Sequence, residues 1–217
     1  MTLNADANRA VQAELDRAIA EKGEIGIQVA AYLGDKLVID CWAGVADPDT
    51  GRAVDGDTLF NVFSVTKAVA ATAVHVQAER GLIDYDAPVA LYWPEFAQNG
   101  KGDITVRDVL THQTGAPQMP PGTSPETICD WDFIAEGLAG LTPILPKGKP
   151  AYQAMSFGWL LGEIVRRTDP AHRDFRDFIR QEISEPFGIA DLWVGIDDAV
   201  EPRIAKLIDR GSAANFP

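Results

Sequence analysis

The sequence predicts an α+β fold on three observations: an amphipathic helix at the N-terminus, a β-hairpin directly after it, and a middle that reads as helices and loops. In Asn4 to Lys22, the residues Ala7, Ala10, Val11, Leu15, Ala18 and Ile19 recur at three- and four-residue spacing with Asp, Glu and Arg between them, and Gly23 ends the helix. The apolar runs Ile25 to Leu33 and Leu37 to Trp42 are split by Gly34-Asp35-Lys36, a short turn that makes them a hairpin. Asp47-Pro48-Asp49-Thr50-Gly51 is a loop by composition, and the Ala-rich run Val65 to Arg80 is a helix stopped by Gly81. Further helices are expected at Val106 to Leu110, Trp131 to Leu138, Ser156 to Arg167 and Phe175 to Ile183, with a Pro/Gly-rich stretch from Gly115 to Pro125 and a strand-like tail at Leu192 to Ile196. The expected organisation is an N-terminal helix and hairpin over 1–58, a helical lobe over 59–190, and an incomplete return towards the first lobe over 191–217.

Composition narrows the function. The 217 residues are 46% hydrophobic and 24% charged, which is ordinary for a folded globular chain and excludes disorder as the main state. Lys and Arg number 19 against 32 Asp and Glu, a net charge of −13 with no basic cluster, so the field repels phosphate backbones and nucleic acid is not an expected partner. Charges run through the first residues where an export signal needs an apolar core, and the most apolar stretch, Ala68 to Val76, is far short of a membrane span. A cytoplasmic protein without a membrane partner is expected. Its two cysteines, Cys41 and Cys129, then read as reduced thiols.

Chemistry is first suggested by Ser64 and Lys67. They stand three residues apart at the start of the Ala-rich helix, so one turn brings hydroxyl and amine to the same face. A serine hydroxyl is a poor nucleophile until a base takes its proton, and a lysine against apolar neighbours can have its pKa lowered enough to help. The helix N-terminus adds backbone N–H and positive dipole where an oxyanion would form. With five serines and seven lysines, chance gives about 0.16 Ser-x-x-Lys matches, so the bare motif does not separate a nucleophile from a plain helix cap. His112 has Asp108 one turn before it, but without a Gly-x-Ser-x-Gly elbow a Ser-His-Asp triad is the weaker reading, and His112 is expected to shape its loop by hydrogen bonding. His75 reads as a packing residue and His172 as exposed. No His/Asp/Glu cluster has metal-ligand spacing, and no cofactor or metal is expected.

The surrounding blocks carry more. They are Leu59-Phe60-Asn61-Val62-Phe63-Ser64-Val65-Thr66-Lys67, Gly81 to Val89 leading to Tyr92-Trp93-Pro94-Glu95-Phe96, Ile104 to Gly115 with Thr111-His112-Gln113-Thr114-Gly115, Pro146-Lys147-Gly148 with Tyr152 to Gly162, and Glu185-Pro186-Phe187-Gly188-Ile189. In this order they resemble the serine β-lactamase-related family: class C β-lactamases, family VIII carboxylesterases and D-alanyl-D-alanine peptidases. The resemblance implies a β-lactamase/penicillin-binding-protein-like fold, an antiparallel sheet flanked by helices plus a helical lobe. It implies Ser64 as the acylated nucleophile, Lys67 as its proton-transfer partner and Tyr152 as the phenolate-like base of a Tyr-x-Asn motif, with the order of proton acceptance between Lys67 and Tyr152 left open.

Two departures shape the expected function. Position 154 is Ala where the motif carries an Asn whose amide would hold the acylamido group of a β-lactam or peptide, so small carboxylic esters are the expected substrates. A β-lactamase- or peptidase-like amide hydrolase, or an acyltransferase, is the alternative on the same acyl-enzyme. The second departure is the family's third motif, Lys/His/Trp-x-Gly on a later strand: Trp193-Val194-Gly195 fits the spelling but follows directly on the Glu185 block, and reads as a decoy. The expectation is an N-terminal portion lacking the C-terminal strands of a five-stranded sheet, completed by a second polypeptide or a C-terminal fragment. Losing one oxyanion donor costs roughly 10²- to 10³-fold in rate, so the chain by itself is expected to be feeble or inactive. A truncated non-catalytic binding protein that pairs through its open sheet edge is the remaining alternative.

Overall fold

The computed structural model describes residues 4–208, which divide into two compact units, 4–61 with 196–208, and Val62–Gly195. The first unit opens with helix α1, Ala5–Glu21, whose Asn4 cap accepts from the Ala7 N–H at 3.1 Å. Strands β1 (Gly26–Leu33), β2 (Lys36–Asp47) and β3 (Arg52–Ala53) form an antiparallel sheet in the order β1-β2-β3. The Asn8 side chain ties α1 to β2 by accepting from the Asp40 N–H at 2.8 Å, beside the buried Cys41.

The hairpin differs from the expected one in two ways. Its turn is the two residues Gly34-Asp35, with Leu33 paired to Lys36, and β2 runs on through Ala43-Gly44-Val45-Ala46-Asp47, where small residues break the alternation that marks a strand in sequence. Gly44 permits the extension, because a Cβ there would lie 2.1 Å from the Ile25 carbonyl oxygen. The Asp47–Gly51 loop is a turn whose Asp47 carboxylate accepts from the Asp49 N–H and the Thr50 hydroxyl. Later in the chain, Ile204 bridges Leu59 and the Lys206 N–H donates to Ala46 O at 2.7 Å.

The second unit is helical. A 3₁₀ turn, Phe63–Val65, leads into α2, Thr66–Glu79, followed by α3 (Val89–Tyr92), a kinked 3₁₀ stretch (Pro94–Gly100), α4 (Val106–Leu110), α5 (Trp131–Gly140), α6 (Ser156–Thr168) and α7 (Phe175–Ile179), which runs on as a π turn through Ser184. Helix α2 turns Ala70, Ala73 and Val74 inward, and these small side chains let α6 approach with Phe157, Leu160, Leu161 and Ile164. Trp93, Phe96, Ile134 and Phe178 complete a core from which water is excluded. Lys101 is fully buried and donates to the carbonyls of Gln98 and Ala139, each at 2.9 Å, and of Leu141, so its ammonium closes the C-terminal end of α5.

The expected strand at Leu192 to Ile196 is not one. Leu192 and Val194 pack against the helical core instead, and the Ser184 hydroxyl donates to Leu192 O at 3.4 Å. An apolar pentad reads as a strand only if a partner edge accepts its backbone, and here the neighbours are helix side chains. His75, expected to be packed away, is exposed, with Nδ1 2.8 Å from the Tyr85 hydroxyl, while His172 is exposed as expected.

Candidate active site

The site is assembled by α2, the loop after α4 and the segment that enters α6. Phe63 takes a left-handed φ of +46°, uncommon for a bulky residue, in the 3₁₀ turn that presents Ser64 on the surface. Lys67 lies in the first turn of α2, and its Nζ stands 3.1 Å from Ser64 Oγ, as three-residue spacing requires. The same ammonium donates to the Ala154 carbonyl at 2.6 Å, which fixes the lysine from the opposite side. Tyr152 closes the group: its hydroxyl lies 2.8 Å from Ser64 Oγ, and Lys67 Nζ sits 4.7 Å from its ring centroid. Residues 88 apart in sequence thus share one hydrogen-bonded cluster.

The hydrogen bond to Ser64, followed by that to Lys67, holds the Tyr152 phenol below its ordinary range, because both favour the phenolate. His112 braces this tyrosine without touching the serine. Its ring packs against Tyr152 at 5.0 Å and Phe157 at 4.7 Å, its Nδ1 accepts from the Gln153 N–H at 3.2 Å, and its own carbonyl accepts from the Ala151 N–H at 2.9 Å. Burial lowers its pKa, and because Nδ1 accepts, the neutral ring carries its proton on Nε2. The left-handed φ of His112, +59°, turns the chain out of α4 towards the Tyr152 segment. Asp108 does not join it: its carboxylate accepts from the Thr105 N–H at 2.9 Å in the capping box of α4.

Beside Ser64 opens a cavity of about 500 Å³. Its wall includes Trp131, Trp159, Phe175, Met155 and Val194, none of which sequence reasoning assigned to the site. Gly195 also lines it, so the Trp193-Val194-Gly195 run does reach the site, though as an irregular segment and not as a strand. Among the described residues no group of three His, Cys, Asp or Glu could hold a metal ion, and no helix is long and apolar enough to cross a membrane.

Residues 11–215 match the family model described as Beta-lactamase. The chain is 40% identical over 184 residues to the esterase/beta-lactamase LipL of Mycobacterium tuberculosis (strain ATCC 25618 / H37Rv), covering 84% of this chain and 42% of that protein. Among solved structures, a penicillin-binding protein homolog from Caulobacter crescentus superposes with a TM-score of 0.86 at 36% identity, over 96% of this chain and 56% of that one. A family VIII carboxylesterase superposes with a TM-score of 0.87 at 32% identity, over 96% and 57%. The chain spans about half the length of these relatives. Its α+β architecture is the β-lactamase/penicillin-binding-protein fold, and by a family match over nearly its whole length the chain belongs to the beta-lactamase family of serine hydrolases, which has esterases among its members.

Proposed function

We propose that the protein is a carboxylesterase acting on small esters through an acyl-enzyme on Ser64. The observation that carries this reading is the position of Ser64 Oγ, 3.1 Å from Lys67 Nζ and 2.8 Å from the Tyr152 hydroxyl oxygen. In the reaction Oγ attacks the ester carbonyl carbon, a new C–O bond forms, and the hydroxyl proton passes to the Tyr152 or Lys67 side. The tetrahedral intermediate collapses by breaking the bond to the alcohol oxygen, which leaves with that proton. Water then attacks the acyl-Ser64 ester, gives up a proton to the same pair, and frees the acid and the Ser64 hydroxyl.

Esters are favoured over amides by the methyl side chain at Ala154, which has no amide to hold an acylamido group, and by the esterases among the relatives. Small-molecule esters are therefore the proposed substrates. The test is a fluorophosphonate probe applied to the purified full-length protein and followed by peptide mapping. Adduct on Ser64, lost in Ser64→Ala, is the expected result; labelling that persists in Ser64→Ala removes this serine from the mechanism.

A further inference from the structure

We infer that the cavity beside Ser64 is an acyl pocket for an apolar group bearing an aromatic ring, and that Gly158 sets how large that group can be. The inference rests on the reading of Ser64 as an acylated nucleophile, and it adds the class of acyl group. Among the described residues the polar side chains in the cavity wall, apart from the two indoles, are those of Ser64, Thr66 and Lys67, and Lys67 is already engaged with Ser64 and the Ala154 carbonyl. Among the described residues no carboxylate lines it, so the wall offers no counter-charge to a cationic acyl group.

The far wall is aromatic and rigid. Trp131 and Trp159 lie with ring centroids 6.3 Å apart at 30°, and Phe175 lies 6.0 Å from Trp131. The indole N–H of Trp131 donates to Glu163 at 2.7 Å, and that carboxylate accepts in turn from Arg166 at 3.0 Å and Arg167 at 2.7 Å. The polar edge of Trp131 is thereby spent on Glu163. Gly162 seats the ring, since a Cβ there would come within 2.6 Å of the indole. The ring atoms of Trp131, Trp159 and Phe175 in this wall offer an aromatic guest π contacts, whereas a short alkyl chain gains only its area.

Space at the near wall comes from two small residues. Ala154 contributes a methyl, and a Cβ added at Gly158 meets nothing within 4 Å although Gly158 lines the cavity. A larger side chain at 158 therefore starts from open space beside the pocket, and in the first turn of α6 it also replaces a glycine by a better helix former. The cavity is assigned to the acyl side because Ala154 lines it, at the position where the Asn of the Tyr-x-Asn motif would hold an acylamido group.

The experiment measures kcat/KM on the full-length protein for p-nitrophenyl acetate, phenylacetate and 3-phenylpropanoate, and for acetates of alcohols of increasing size. Arylacyl esters are expected to exceed acetate by about tenfold or more, with Gly158→Leu cutting that ratio by about tenfold or more and not lowering Tm. A flat acyl profile, a preference that follows the alcohol, or a ratio indifferent to Gly158→Leu overturns the inference. Should Gly158→Leu fail to fold, the wild-type protein still decides: 2-phenylethylboronic acid is expected to inhibit at least about tenfold more tightly than methylboronic acid, and equal inhibition overturns it. Fluorophosphonate labelling of Ser64 with a flat acyl profile refutes only the pocket, whereas no labelling of Ser64 refutes the hydrolase reading itself.

Discussion

Tyr152→Phe removes one oxygen atom from the proposed site and little else. The ring that packs on His112 at 5.0 Å and lies 4.7 Å from Lys67 Nζ stays in place. Because the tyrosine is 56% exposed, its hydroxyl loss strands no buried partner, and stability should change by no more than about 0.5 kcal/mol. The lost oxygen stood 2.8 Å from Ser64 Oγ, where a proton acceptor is worth about 10²- to 10⁴-fold. Lys67 remains 3.1 Å from Oγ and keeps one route for the proton, which places the expected loss near 10³-fold, or about 4 kcal/mol of barrier. Since Tyr152 does not line the cavity, the loss should fall in kcat with KM nearly unchanged. Steady-state hydrolysis of an activated ester, with Tm measured on the same preparations, reads all three quantities. A kcat within tenfold of wild type at unchanged Tm would refute the role given to the phenol, and a loss matched by a fall in Tm would make that role structural.

Two further predictions concern ionisation. Difference absorbance between wild type and Tyr152→Phe should show Tyr152 ionising below the ordinary tyrosine value of 10.0, and Lys67→Gln should move that titration upward by removing one of its causes; an unmoved titration contradicts the described cluster. The second is a stability effect remote from the site. Asp169, buried and bonded to the Arg173 guanidinium, has its pKa held down to about 2 from 3.8, so the folded state is favoured while the carboxylate is charged. The difference is worth about 2 kcal/mol, present above the unfolded value and lost as pH falls from about 5 through about 2. Asp169→Asn should therefore lower stability at pH 7 and flatten the acid limb of a Tm profile. An unaltered limb would show that another group carries it.

The parts of the site that sequence reveals are those with local spacing. Ser64 and Lys67 are three residues apart at the start of an Ala-rich helix, so helical geometry alone puts them together. Tyr152 has no such relation to Ser64, and only the resemblance of its surrounding block marked it. The Ala154 carbonyl that holds Lys67 was illegible because every residue has one, and position 154 drew notice for its side chain alone. Trp131, Trp159 and Phe175 carry no mark of the cavity in the sequence, since periodicity shows which face of a helix is apolar and not where that face leaves a void. The strand-like tail failed for a related reason: Leu192 and Val194 are apolar enough for a strand, but helix side chains cover them. The extension of β2 past Trp42 was hidden by small residues whose contribution is close backbone approach, as at Gly44.

A covalent intermediate on Ser64 is best tested by capturing it. The full-length protein is mixed with an activated ester in excess, quenched in acid during the first turnover, digested and mapped by mass. One acyl group per protein is expected on the peptide containing Ser64, absent in Ser64→Ala and longer-lived in Tyr152→Phe. Hydrolysis that proceeds with no acyl group on that peptide, or with the group on another residue, would contradict it.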